Sequence, residues 1–208
     1  MKQIKIFSVI TCFFLIVGLF FAFYGCDVSS YEKHIGFSYV VAYAESSAGG
    51  EAIYDSHQFS GVLIDENCIE LIRSKQELIE FSDEKDLPFF EIKGEDRYHM
   101  KQHIYDSELS QKIRSYDEAF FNEKSLVLVF VMFPNVYPAK IDTASIEGEE
   151  FVVKVARPEA DSYLDALSHH TFVIEVDKKS VENKSAQLTI VKKGTKDDYL
   201  DENGKYYW

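Results

Sequence analysis

The chain has 208 residues, of which 46% are hydrophobic and 27% charged, and it contains only 10 Gly and 4 Pro. This composition excludes collagen-like and low-complexity disordered proteins and is typical of a folded domain with its own core. The 22 Lys and Arg residues are outnumbered by 35 Asp and Glu, which gives a formal net charge of −13. Because such a surface repels phosphate backbones, the sequence also argues against nucleic acid as a partner.

The first 26 residues have the layout of an export signal. Two lysines form a short basic start, and an apolar run extends from Ile6 to Tyr24. The basic start stays in the cytoplasm while the apolar run directs the following chain across the membrane. Gly25 and Cys26 resemble the end of a bacterial lipoprotein signal, in which the cysteine is acylated. We therefore predict lipidation at Cys26, with fatty acyl chains such as palmitate holding the protein at the outer face of the cell membrane.

An uncleaved membrane anchor is the alternative interpretation of this segment. Roughly 18 or more apolar residues span a bilayer, whereas the apolar part of a cleaved signal has roughly 7–15. The run here is long for a cleaved signal, and Phe23 and Tyr24 stand where lipoprotein signals prefer an aliphatic and then a small residue. In that case a single-pass N-terminal helix holds the protein. Both interpretations place residues 27–208 outside the membrane.

The cysteines do not form a disulfide framework. Cys12 lies in the apolar run and Cys26 at its boundary, which leaves Cys68 in the exported part. With Cys26 acylated, the fold depends on its hydrophobic core without a disulfide. Cys68 is in a strand-like run, where we expect a buried small hydrophobic side chain rather than a nucleophile.

Residues 27–58 are predicted to be a tether with a first strand, and residues 59–208 the main domain. Gly36–Tyr43 is strand-like, and the Ser/Gly cluster at residues 45–50 is typical of a loop. In the main domain, two strands are predicted at residues 59–64 and 68–72. A helix follows at residues 74–81, where Ser74 and Glu77 form a capping box at its start. Further helical segments are predicted at residues 107–114 and 116–121.

Strands dominate the rest of the chain. Ser125–Phe133 is an apolar run rich in β-branched and aromatic residues, which predicts a central strand buried on both faces. Later strands alternate in polarity, which predicts an antiparallel sheet with one wet face, and Asn203–Gly204 predicts a hairpin. The later strands are predicted at residues 140–146, 151–156, 171–176 and 186–191. The sequence therefore predicts a single α+β domain, mainly antiparallel β-sheet with a few short helices in the middle of the chain, preceded by the signal or anchor helix.

Tyr116–Val129 and Thr171–Lys178 resemble parts of a recurring exported domain of Firmicutes. In this domain a Tyr-Asp/Phe-Phe turn leads into a long apolar strand, and a closing strand ends near Glu-Val-Asp-Lys. Over roughly residues 105–192, the layout is similar to the C-terminal domain of PrcB lipoproteins, which are subunits of a surface protease complex. Related domains often carry a Ser/Gly stretch after the long strand, where this chain has Pro134–Pro138. The resemblance implies an extracytoplasmic location and a non-catalytic accessory role.

Histidines provide the weak candidates for a metal site. His99 and His103 share a face at helical spacing, and Asp96 or Asp106 could add a carboxylate ligand. The segment lacks the glutamate with which metallohydrolases activate water, so two solvated histidines are the simpler interpretation. The pair His169–His170 would point to opposite faces of a strand, so surface hydrogen bonds are expected there instead of a shared ion.

The sequence has no nucleophile elbow, phosphate-binding loop or dinucleotide fingerprint. We therefore expect no enzyme activity, no catalytic residue and no cofactor. The sequence favours a membrane-tethered extracytoplasmic interaction domain, an accessory subunit that contacts a surface protein such as a protease. The alternatives are a metal-dependent hydrolase that uses His99 and His103, and a small-ligand-binding lipoprotein.

Overall fold

The structure is a computed structural model and describes residues 31–34, 37–49, 67–94, 98–133, 138–159 and 167–200. Three predicted features lie outside the described residues: the signal or anchor at residues 1–26, the strand at residues 59–64 and the hairpin at Asn203–Gly204. Within the described part of the chain, no helix is both long enough and apolar enough to cross a membrane.

The described residues form eight strands, five α-helices and a short 3₁₀ turn. The strands are β1 (Tyr31–His34), β2 (Phe37–Gly49), β3 (Cys68–Ile72), β4 (Lys124–Phe133), β5 (Lys140–Glu147), β6 (Glu150–Arg157), β7 (Leu167–Asp177) and β8 (Ser185–Lys192). The helices are α1 (Lys75–Glu84), α2 (Tyr98–Asp106), α3 (Glu108–Ser115), α4 (Glu118–Glu123) and α5 (Lys178–Val181), and the 3₁₀ turn covers Lys196–Tyr199.

The strands form two sheets. The first sheet has five strands in the order β1-β2-β7-β4-β3, and all of its neighbouring strands are antiparallel. The second sheet has three strands in the order β5-β6-β8. Its hairpin between β5 and β6 turns at Gly148, whose φ of 65° lies in the left-handed region that glycine adopts without steric cost. The described part is thus mostly antiparallel β-sheet with a few short helices, which agrees with the α+β prediction.

One pair of strands departs from the predicted antiparallel arrangement. β8 runs parallel to β6, from Ser185 opposite Glu150 to Lys192 opposite Arg157, so the prediction of an antiparallel neighbour is wrong for this strand. Parallel neighbours cannot be joined by a tight hairpin and need a long crossover. Here the crossover contains β7, which belongs to the first sheet, and α5. The chain therefore re-enters the second sheet in the direction of β6.

The first sheet lies between the second sheet on one face and the helices on the other. In β4, Val127 and Val129 pack toward the second sheet, while Leu126 and Leu128 pack under the helices. All four are fully buried, and each contributes roughly 1.5–3 kcal/mol of hydrophobic stabilisation. Because β4 also lies between β7 and β3, the prediction of a central strand buried on both faces is confirmed. The inter-sheet core further contains Tyr39, Phe133, Phe151, Val153, Phe172 and Ile174, and the helix-side core contains Ile72, Leu78, Leu109, Ile113 and Phe121.

Strand β2 continues to Gly49 and includes most of the Ser/Gly cluster. The prediction of a loop at this cluster is wrong, because residues 45–49 pair with residues 167–171 of β7. Pairing with an interior strand satisfies the backbone groups of these small residues, and this outweighs their weak strand propensity. The first sheet therefore includes residues that the sequence assigns to a tether and a first strand.

The predicted helices begin at residues that cap them. Ser74 Oγ accepts a hydrogen bond from the Glu77 amide at 3.1 Å and opens α1, as the capping box predicts. The Glu77 carboxylate, however, accepts from the amide of Arg73 at 2.7 Å, one residue earlier than the pattern indicates. Ser107 and Asp117 cap α3 and α4 in the same way. These two helices, both predicted, begin one or two residues later than the sequence indicates.

Two basic side chains fix the connection from the first sheet to the second. Lys178 Nζ, at the start of α5, donates to the carbonyl oxygens of Arg73 at 3.1 Å and Phe121 at 2.7 Å. The Arg73 guanidinium donates to the carbonyl oxygen of Val181 at 3.3 Å and to that of Lys184. Hydrogen bonds from charged donors are stronger than those between neutral groups. The position at which the chain enters β8 is therefore tied to the end of β3.

Candidate functional site

Helix α2 contains both histidines of the predicted metal site. Positions 99 and 103 lie one turn apart on this helix, which confirms their helical spacing. The His103 side chain is exposed, while the His99 side chain and Asp96 lie outside the described side chains. Asp106, the other predicted carboxylate, accepts a hydrogen bond from Gln102 at 2.7 Å.

The structure describes only one of the two imidazoles of the predicted metal site, because the His99 side chain lies outside the described side chains. Among the side chains that it describes, no group of three or more His, Cys, Asp or Glu residues is placed to hold a metal ion. Metal binding at His99 and His103 therefore stays a prediction.

The pair His169–His170 lies within β7. The His170 ring is 5.5 Å from the Phe133 ring and 6.5 Å from the Phe172 ring, measured between centroids. Strand alternation places His169 on the opposite face, so the two imidazoles cannot share one ion, as predicted. Both residues are buried, with exposed fractions of 5% and 2%, and the prediction of surface positions is wrong. β7 lies between β2 and β4, which is why its residues are covered on both sides.

Of the three cysteines, Cys68 is the one that lies in the described part of the chain. Cys26, the predicted lipidation site, lies outside the described residues. Cys68 begins β3 and is half-buried against the helix-side core. This position agrees with the prediction of a strand residue that packs as a small hydrophobic side chain.

A polar cluster around Glu175 is a candidate site that the sequence motifs do not include. Glu175 lies on β7 between Val40 of β2 and Leu126 of β4, and its side chain is only 14% exposed. It faces the helices, because Ile174 and Val176 on either side of it face the inter-sheet core. A carboxylate this far inside a sheet costs free energy unless it is paired.

Three side chains from separate elements hold the Glu175 carboxylate. Lys124 Nζ, at the start of β4, donates to Oε2 at 2.8 Å, and the Tyr116 hydroxyl donates to Oε1 at 3.1 Å. Lys112 Nζ, on α3, lies 3.6 Å from Oε1. We call these four residues the Glu175 cluster. It joins α3, the connection to α4 and the first sheet.

Aromatic rings pack against the lysines of the Glu175 cluster. Lys112 Nζ lies 5.2 Å from the centre of the Tyr116 ring, and Lys124 Nζ lies 5.8 Å from the centre of the Phe120 ring. The Tyr116 and Phe120 rings are themselves 4.5 Å apart. A cation over an aromatic face gains about 0.5–1 kcal/mol at exposed sites. Each lysine is therefore held by both a carboxylate and a ring.

The electrostatics indicate that the Glu175 cluster is structural. Burial would raise the pKa of Glu175, but the hydrogen bond and charge of Lys124, aided by Tyr116 and Lys112, outweigh burial and hold this pKa below its ordinary value. Burial and the Glu175 carboxylate raise the pKa of Tyr116. A general acid or base needs a pKa close to the working pH, whereas these shifts move both groups away from neutrality. The cluster therefore fastens helices to the sheet and is poorly suited to proton transfer.

The sequence does contain a signal for this cluster. Glu175 is the one acidic residue within the apolar run Thr171–Val176, and charged side chains are almost never fully buried unless they are paired. Its partners Lys124 and Tyr116, however, lie 51 and 59 positions earlier in the chain. No local pattern identifies partners at such separations.

Comparison of the chain with protein-family models, with curated proteins and with solved structures gives no match. The resemblance of residues 105–192 to the PrcB C-terminal domain therefore stays a prediction.

We expect the free energy of unfolding to fall at acid pH, because Glu175 becomes protonated there and loses its charge. Because its folded-state pKa lies below the ordinary value, which is about 4.3, ionised Glu175 stabilises the fold at neutral pH. This contribution is lost as the pH falls through the folded-state pKa. Glu175→Gln keeps the shape and an acceptor for Tyr116 but removes the charge. In urea unfolding at pH 7 this variant should lose about 1 kcal/mol, and its difference from the wild type should shrink toward acid pH.

Glu123→Gln is the matched control for this pH series. Glu123 is exposed at the end of α4, and an exposed charge contributes only about 0–1 kcal/mol. The control should therefore unfold close to the wild type at each pH. A difference between the wild type and Glu175→Gln that stays constant from neutral to acid pH would show that the lost charge is not its cause.

Proposed function

We propose that this protein is a membrane-tethered extracytoplasmic interaction domain that acts as an accessory subunit of a surface protein complex. The basic and apolar layout of residues 1–26 supports the location. Acylation of Cys26 would supply the tether, because acyl chains buried in the bilayer hold a protein at its surface.

The observation that carries this proposal is the short link between the predicted anchor and the first sheet. Four residues, 27–30, separate Cys26 from Tyr31, where β1 begins. A β domain that follows an export segment this closely stays at the membrane surface, where it meets other surface proteins. The net charge of −13 favours partners that present a basic surface.

Two further observations support contact with a partner over catalysis. The Glu175 carboxylate is held by Lys124, Tyr116 and Lys112, and its pKa is held below the ordinary value. The resemblance to PrcB domains points to an accessory role beside a surface protease. Neither observation depends on the metal prediction at His99 and His103.

Affinity purification of the tagged full-length protein from membranes tests the proposal. We expect a surface protein to be recovered in near-stoichiometric amount, with a protease as the first candidate. The control is a chimera of residues 1–26 with an unrelated domain, which shares the anchor and should recover none of this partner. Recovery of no partner, together with turnover of a peptide or cell-wall substrate by the purified protein, would contradict the proposal and favour the enzyme alternative.

A further inference from the structure

We infer that two copies of this protein pair through the outer edge of β8, with the two β8 strands antiparallel and Thr189 of one copy opposite Thr189 of the second copy. The outer edge is the side of β8 that points away from β6 in the second sheet. The inference goes beyond the proposed function, and it holds with or without the lipid anchor, because the interface lies within Ser185–Lys192.

β8 lacks the features that protect the other edge strands that the structure describes. Natural edge strands avoid pairing with other chains by being short or by carrying charges or bulges. β5 has a register shift at Asp142, β3 has the exposed Glu70 at its centre, and β1 is four residues long. β8, in contrast, pairs with β6 in one continuous register and has no charged residue or proline between Ser185 and Val191. It is therefore the edge to which another strand can add.

The outer edge of β8 is open to solvent. Although β3 of the first sheet lies nearby, none of the eight residues of β8 is buried. Leu188 and Ile190 pack against the inter-sheet core but stay half-buried. A strand added at this edge would cover them further.

Hydrogen bonds at the two ends of β8 identify the backbone groups that point outward. The Ser185 amide donates to the carbonyl oxygen of Glu149 at 3.1 Å, and the Lys193 amide donates to that of Arg157 at 2.9 Å. Because backbone groups alternate in direction along a strand, the odd-numbered residues of β8 bond to β6. The even-numbered residues direct their amide and carbonyl groups to the outer edge. These residues are Ala186, Leu188, Ile190 and Lys192.

An antiparallel pair with its two-fold axis at Thr189 matches β8 to itself. It places Leu188 opposite Ile190 of the second copy, so that two apolar side chains meet and outward backbone groups bond to each other. On the other face, Thr189 meets its own copy, and Thr–Thr pairs across strands are favourable. Moving the axis to Leu188 would instead place Lys184 opposite Lys192 of the second copy. The axis at Thr189 avoids this repulsion.

The charges of β6 and β8 favour the antiparallel direction. The one acidic residue of these two strands, Glu150, lies where the strand pair begins, and Arg157 and Lys192 lie where it ends. In an antiparallel dimer, the basic end of each copy lies beside the acidic start of the other. A parallel dimer would bring like charges together, which is unfavourable. The occupant that fits this edge is therefore a second copy of the chain.

Opposite charges at position 189 test the interface in the full-length protein purified in detergent. Thr189→Lys and Thr189→Asp each place two like charges opposite each other, which destabilises a strand pair. Sedimentation should show a wild-type dimer and, for each variant, a dissociation constant about tenfold or more higher. An equimolar mixture of the two variants should recover the dimer, because position 189 then meets the opposite charge. This recovery requires that position 189 of one copy lies beside position 189 of the other.

Thr143→Lys and Thr143→Asp are the matched controls. Thr143 is also half-buried, and it lies on β5, the other edge strand of the described second sheet. Both control variants should dimerise like the wild type, and mixing them should change nothing.

Disulfide formation gives a second readout that needs no added charge. In full-length protein with Cys12 and Cys68 replaced by Ser, Thr189→Cys should form a covalent dimer in membranes on mild oxidation, whereas Thr143→Cys should not. Opposite residues without mutual backbone hydrogen bonds have Cα atoms about 4.5 Å apart. A disulfide joins Cα atoms about 4.4–6.8 Å apart, so the proposed pair is within reach.

A wild type that stays monomeric, or a dimer that the Thr189 variants leave intact, overturns the inference. If the wild type is monomeric and Thr189→Lys loses a surface protein that the wild type captures, the edge pairs with a strand of that protein instead. If the Leu188 and Ile190 amides of a monomer are protected from hydrogen exchange, the chain itself covers the edge. Both results would replace the second copy as the occupant.

Discussion

Replacing Cys26 with Ser is expected to abolish fatty-acid labelling of the protein and to leave a larger, unprocessed precursor. The reason is chemical, because the predicted lipid is attached through the cysteine sulfur and the mature chain of a lipoprotein begins at the modified cysteine. The loss of fatty-acid labelling should be complete, because neither remaining cysteine lies at the predicted lipidation site: Cys12 is within the apolar run and Cys68 is far downstream. Metabolic labelling with a fatty acid, followed by gel migration of the membrane fraction, measures both effects.

Cys12→Ser is the matched control for this experiment. It removes a thiol from the apolar run but leaves the predicted lipidation site intact, so labelling and migration should match the wild type. Under the uncleaved-anchor alternative, Cys26→Ser protein migrates and fractionates like the wild type, because the apolar run from Ile6 to Tyr24 is long enough to hold it. That result would remove the lipid from the proposal and preserve the extracytoplasmic location.

Elements that depend on local patterns could be predicted from the sequence. The apolar run Ser125–Phe133 corresponds to β4 at Lys124–Phe133, within one residue. A strand buried on both faces has apolar residues at successive positions, so its composition alone identifies it. The capping residue Ser74 is similarly local, because the amide that it binds belongs to Glu77, three residues later.

Elements that depend on distant residues could not be predicted in this way. Residues 45–49 are too small and polar to indicate a strand, and they form one because residues 167–171 of β7 pair with them. The same interior position of β7 buries His169 and His170, which look like surface residues in the sequence. The direction of β8 depends on the crossover through the first sheet, which leaves no mark on the residues of β8.

In the candidate sites, too, local spacing could be predicted from the sequence, whereas contacts between distant residues could not. The spacing of His99 and His103 is a local property of one helix, and α2 confirms it. The Glu175 cluster combines side chains from β7, β4, α3 and the residue after α3. An acid within an apolar strand indicates that a partner exists, but only the fold identifies Lys124 and Tyr116 as the partners.

Replacing Leu128 with Ala is expected to cause a large loss of stability. Leu128 is fully buried in the helix-side core and lies on β4 between Glu70 of β3 and Val173 of β7. Truncation removes buried methyl groups and leaves a cavity that two flanking strands prevent from closing, which costs about 2–5 kcal/mol. Since the total stability of a domain is about 5–15 kcal/mol, this is a large fraction of it. Urea unfolding of residues 27–208 measures the change.

Leu188→Ala is the matched control, because it makes the same chemical change on β8. Leu188 is half-buried against the inter-sheet core, and β8 has a neighbour on one side only within the described second sheet. Part of this side chain is already in water, so its truncation should cost about 1 kcal/mol. Equal losses at the two positions would contradict the placement of β4 between two packed layers, because a half-buried leucine has less contact area to lose than one that is covered on every side.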